Sequence, residues 1–109
     1  MRAQLVVIWW RDIPTQVNAQ VGRTRYQAVL PRRFQRAVDE AATVAGLTQA
    51  SDYVAEWKRE ASTMAAVPDP EQAQAAADAA AAQFDAAYPK ERLTAIAAAA
   101  GFDAERVTP

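Results

Sequence analysis

The sequence predicts an α+β domain: a small three-stranded, mainly antiparallel sheet in the order β-β-α-β-α-α, with its helices packed on one face. Three observations predict it. Gln4 to Trp10 is an apolar run rich in β-branched and aromatic residues, the composition that suits a pleated surface. Thr15 to Val21 alternates apolar and polar residues, the period of a half-buried strand. From Pro31 onward the apolar residues recur at helical spacing, and an alanine-rich stretch follows, alanine being the strongest intrinsic helix former.

The first run is apolar on both of its faces, Leu5/Val7/Trp9 and Val6/Ile8/Trp10. Such a strand is normally interior to its sheet and covered on both sides. Arg11-Asp12-Ile13-Pro14 breaks the run, because Asp favours a turn and Pro cannot donate to a ladder. Thr15 to Val21 then pairs back as a hairpin, with Val17, Ala19 and Val21 on one face and Gln16, Asn18 and Gln20 on the other. Gly22-Arg23 turns the chain, and Thr24 to Leu30 reads either as more strand or as an extended lead-in.

Pro31 opens a helix over about 31–45 on Phe34, Ala37, Val38, Ala41 and Ala45, and Gly46 with Leu47 closes it. Tyr53, Ala55 and Trp57 alternate with Val54, Glu56 and Lys58, which reads as the third strand, a short helix being the alternative. Residues 61–68 read as a loop. Asp69-Pro70-Glu71-Gln72 supplies an N-cap, a first-turn proline and a capping-box glutamine, so a helix runs to Ala87. Tyr88-Pro89 interrupts it, and a last helix over 90–100 ends at Gly101. A right-handed connection from the second strand through the first helix to the third places the first strand in the middle. The chain thus reads as one domain: sheet and first helix over 3–60, an alanine-rich helical hairpin over 69–101 and a frayed tail over 102–109.

A chain of 109 residues holds one hydrophobic core. It contains neither cysteine nor histidine. These absences remove disulfides, thiolate nucleophiles, the Ser-His-Asp arrangement and the usual transition-metal ligands. The carboxylates Asp39, Glu40, Glu56 and Glu60 have no spacing that brings them together, and no glycine-rich phosphate loop is present. The expectation is a non-enzyme with no metal and no cofactor. The apolar run at the start ends at Arg11-Asp12 without a cleavage site, and nothing approaches the roughly twenty apolar residues of a membrane span. A cytoplasmic location and no membrane partner are expected. Residues 1–46 carry seven arginines and three acids, whereas residues 47–109 carry five bases and ten acids. With a pI near 5.3 this gives no basic field over the whole domain, so nucleic acid is not expected as a partner.

Ile8-Trp9-Trp10-Arg11-Asp12-Ile13-Pro14 is the most unusual string. Adjacent strand residues point to opposite faces, so one tryptophan enters the core. The other either anchors a partner, as tryptophan does in binding hot spots, or is covered by the C-terminal helix. Trp9, Trp10, Arg11, Asp12 and Trp57 are the candidate partner-binding residues. Arg11, Arg23, Arg25, Arg32, Arg33 and Arg36 are candidates for an anion, since arginine forks and free helix N–H groups suit phosphate and carboxylate. The bland readings are an Asx-turn for Asp12 and a solvated face for the arginines.

The same string, together with Gly22-Arg23, the run from Phe34 to Ala42, Ala45-Gly46-Leu47 and the run from Tyr53 to Trp57, resembles the small bacterial family called the virulence factor domain. The similarity covers about residues 3–60, and an alanine- and acid-rich helical tail is usual for the family. The resemblance implies no activity and no site residues. Stand-alone members often lie near genes for folate- and corrinoid-dependent methyl transfer, which implies an accessory subunit of one-carbon metabolism. The sequence therefore points first to a non-catalytic interaction subunit, as a homodimer or with another protein. The second expectation is a binding module for a small anionic ligand such as a folate.

Overall fold

The two-sided apolar run becomes strand β1 (Ala3–Trp10), an interior strand as its composition requires. Around it the chain forms β2 (Ile13–Val21), β3 (Thr24–Val29), α1 (Arg32–Val44), α2 (Ala50–Val54), β4 (Trp57–Thr63), α3 (Pro70–Ala87) and α4 (Lys90–Ala98). The structure is a computed structural model that describes residues 2–47 and 49–104. Its strands form one antiparallel sheet in the order β3-β2-β1-β4.

The sheet has four strands, not three. Thr24–Val29 is a full strand rather than a lead-in, paired with Gln16–Val21 of β2. The third strand expected at Tyr53 begins instead at Trp57 and extends through residues 61–63, which read as loop in the sequence. Tyr53 sits in the short helix α2. Five residues are too few to display a helical period, so alternation there was ambiguous. Tertiary packing decides it: the Tyr53 ring tilts against Trp10 at 5.7 Å and its carbonyl accepts the Trp10 indole N–H at 3.0 Å. Because β3 and β4 run in opposite directions, the handedness rule for parallel crossovers does not govern this connection.

Nor do the helices share one face of the sheet. Residues paired across strands share a face. Leu5, Ala19 and Tyr26 are therefore on one face with Val7, Val17 and Ala28, and α3 lies over the β2–β3 half of it. Its small Ala73 and Ala77 meet Ala19 and Ala28, so the helix approaches the sheet closely. α1 and α4 pack together at the end of the sheet, where Trp9, Trp10 and Ile13 meet Phe34, Val38, Leu93 and Ile96. The larger side chains of the core concentrate there, as alanine buries little area.

The helix ends follow the sequence. Gly46, at φ +74°, and Leu47 donate to the carbonyls of Thr43 and Ala42, closing α1. Asp69 and Gln72 exchange side-chain and backbone hydrogen bonds at 2.7 and 3.1 Å, completing the capping box of α3. The tail departs from the frayed expectation as far as it is described: Asp103 is buried and holds Arg92 at 2.7 Å. Residues 105–109 lie outside the described residues.

Candidate functional site

The hairpin joining β1 to β2 is where the sequence placed most of its candidates. Trp9 lies on the face that α3 covers and meets Phe84 edge-on at 5.5 Å. Trp10 points to the other face, with Val6 and Ile8 as expected, and is enclosed by Tyr53 and Gly101. Both indoles are interior, at 6% and 0% exposure, so neither offers a surface. A bulge at Thr15, whose hydroxyl donates to the Ile8 carbonyl at 3.0 Å, lets Pro14 and Ile13 stand opposite the two tryptophans.

Arg11 and Asp12 form the two-residue turn, with Arg11 in the left-handed region at φ +50°. Its guanidinium lies between the rings of Trp10 and Phe102, at 5.3 and 4.6 Å. It donates to Glu56 at 2.9 Å and to the Ala100 carbonyl at 2.8 Å. Asp12 accepts the Asp103 backbone N–H at 2.8 Å, and its own N–H donates to the Gly101 carbonyl. Asp12 and the Arg11 bond to Ala100 tie the C-terminal segment to the sheet, while the Arg11 bond to Glu56 ties in the residues just before β4. Gly101 makes that approach possible, for a Cβ there would stand 2.9 Å from the Trp10 ring.

Trp57 is placed differently. It is half-buried, edge-on to Tyr53 at 6.0 Å, and it shares a face of the sheet with Trp10 and Ile8. Beside it Ile8, Val29, Leu30 and Pro31, with Thr15, Gln16 and Gln35, line a cleft of about 270 Å³. Val29 is 68% exposed there.

From this cleft the open face extends across all four strands. Gln4 and Gln20 pair with each other and with Thr63 and Arg25 on the edges; Val6 and Asn18 pair between Ala61 and Gln27; Ile8 and Gln16 pair between Arg59 and Val29. Two diagonal hydrogen bonds cross this grid, Arg59 to Gln20 at 3.2 Å and Gln27 to Gln16 at 2.9 Å. The first passes over the row of Val6, which is buried on a face that α3 does not cover. The Asn18 carbonyl oxygen is buried with no hydrogen-bond partner among the described residues. No strand residue of this face is a carboxylate; the sheet's one acid, Glu60, lies on the opposite face with Val7.

The anion candidates are dispersed. Arg23 and Arg25 stand at the β2–β3 end, whereas Arg32, Arg33 and Arg36 belong to α1. Arg33 is held by Asp85 and by the Tyr88 carbonyl. With Arg36, Lys90 and Glu40 it lines a notch of about 290 Å³ between α1 and α4. Sequence reasoning missed Ile8, Val29 and Arg59, as well as the amides as a surface. The alternating Gln16, Asn18 and Gln20 were the signal, but alone they show only which side of β2 meets water.

A family model described as Virulence factor matches residues 8–97, from Ile8 through α4. The chain belongs to the virulence factor family. The match reaches beyond the sheet and α1 to include the alanine-rich hairpin, so α3 and α4 are part of the virulence factor domain. No curated protein and no solved structure matches the chain. Among the described residues no helix is long and apolar enough to cross a membrane, and no group of three or more His, Cys, Asp or Glu is placed to hold a metal.

Proposed function

We propose that this virulence factor domain is a non-catalytic binding subunit that presents its open sheet face to another protein. The observation that carries the reading is the half-buried Trp57 beside Ile8 and the exposed Val29, in a cleft on the face opposite α3. Exposed apolar side chains gathered in a cleft and rimmed by amides have the make-up of a binding surface. Trp9 and Trp10 serve the fold, so Trp57 is the tryptophan available to a partner. The family's association with methyl-transfer genes supports an accessory role beside such enzymes.

Acrylamide quenching with size-exclusion chromatography and light scattering tests this. Free protein should show one quenchable tryptophan component, absent in Trp57→Phe. That component should become protected in the complex recovered from native lysate or in a homodimer. A complex that leaves Trp57 as quenchable as before contradicts the reading.

A second reading rests on the notch between α1 and α4. Arg36 and Lys90 line it, and among the described residues neither has a carboxylate within ion-pair distance. Forked and point cations there suit a small carboxylate or phosphate ligand. Calorimetry with a folate tests it, and no heat and no thermal stabilisation at high ligand concentration rules it out.

A further inference from the structure

We infer that the partner of the open sheet face is an acidic polypeptide segment carrying an apolar anchor residue. This rests on the reading above and adds the chemistry of what binds. The face sorts its charges: Arg25 and Arg59 are on it, Glu60 is on the other side, and its remaining polar groups are neutral amides or Thr63. Among the described residues neither arginine has a carboxylate within ion-pair distance. Arg59 spends one N–H on the neutral Gln20, which leaves its charge uncompensated. A cationic surface without acids selects partners carrying carboxylates and repels basic ones.

The placement adds detail. Arg59 pairs with Ile8, so one cation stands at the apolar cleft. Arg25 lies on the opposite edge strand, three strand spacings or about 14 Å across the sheet and, in the row of Gln4 and Gln20, about 13 Å further along it, so the two arginines stand about 20 Å apart. An extended segment spans that distance in about six residues, at about 3.4 Å each. The amides between offer donors and acceptors to a peptide backbone. The Asn18 carbonyl oxygen, lacking a partner among the described residues, takes a backbone N–H if Gln27, paired beside it, moves aside. Nucleic acid fits less well, since Trp57 packs against Tyr53 at one end of the face and, among the described residues, no row of exposed aromatic rings offers platforms for successive bases.

The test is a titration followed by backbone amide chemical shifts. The probe is the peptide Glu-Ser-Leu-Ser-Glu-Ser-Glu, which sets its leucine and carboxylates on one face when extended, with Lys-Ser-Leu-Ser-Lys-Ser-Lys as the control. The acidic peptide should shift Ile8, Gln16, Gln27, Val29 and Arg59, and the lysine peptide should not. Raising ionic strength from about 0.01 M to about 0.15 M, where the Debye length is about 8 Å, should weaken binding several-fold. Arg25→Glu with Arg59→Glu should reverse the preference, and the paired glutamine substitutions should weaken binding while leaving the fold intact.

Equal shifts of this face by both peptides would overturn the charge selection and leave the open-face reading standing. Shifts confined to another surface would overturn both. No shifts with the acidic peptide at millimolar concentration would overturn the inference alone.

Discussion

Arg59, on the edge strand β4, donates a 3.2 Å hydrogen bond to Gln20 of β2 across the intervening β1. It roofs Val6, which is only 2% exposed although no main helix lies over it. The arginine thus covers an apolar side chain with its stem and keeps its charge in water.

For stability, Arg59→Ala removes an exposed hydrogen bond and part of a cover. The expected cost is at most about 1 kcal/mol, the scale of surface polar interactions. Urea titration measures it. A loss of several kcal/mol would mean that Arg59 serves the fold rather than recognition.

The two tryptophans of the first hairpin should behave alike. Trp9→Ala and Trp10→Ala each empty an interior site, and each should cost about 3–5 kcal/mol, the range for aromatic truncation in a packed core. Denaturant melts of the isolated domain decide this. A Trp9 variant as stable as wild type would return that side chain to the surface.

Two glycines separate backbone strain from close approach. Both Gly46 and Gly101 have positive φ, but a Cβ at Gly46 meets nothing within 4 Å whereas at Gly101 it meets the Trp10 ring at 2.9 Å. Gly46→Ala should therefore cost about 1 kcal/mol, the left-handed penalty alone. Gly101→Ala should cost clearly more, by thermal or urea unfolding. Equal losses would argue against the docking of the C-terminal segment on Trp10.

Arg11 should resist conservative exchange. Arg11→Lys keeps the charge but loses the planar group between Trp10 and Phe102 and the paired donation to Glu56 and the Ala100 carbonyl. Amide hydrogen exchange over residues 99–103 should speed up in Arg11→Lys as well as in Arg11→Ala. Wild-type protection in the lysine variant would show that charge alone suffices.

Much of this fold is written locally. The capping box at Asp69 and Gln72, the Gly46 closure and the two-sided β1 each follow from nearby residues and are present. What was not legible depends on distant partners. Tyr53 turns helical where it meets Trp10, and residues 61–63 become strand by pairing with the first half of β1. The candidate site was legible only in Trp57. Arginines close in sequence at 23, 25, 32, 33 and 36 part because a strand, a turn and a helix carry them to different places. Val29 and Arg59 join the face only because β3 and β4 flank the central pair.

On the proposed function, a partner touches the open sheet face and not the tryptophan hairpin. Val29→Asp tests it most directly, because Val29 is 68% exposed beside Trp57 and contributes little to the core. The measurement is the capture of the partner defined by the light-scattering experiment, alongside a thermal melt of the same variant. The expected result is a melting temperature within a few degrees of wild type, for a strand-propensity change of about 1 kcal/mol or less, together with loss of capture. Undiminished capture by a folded Val29→Asp protein would contradict it.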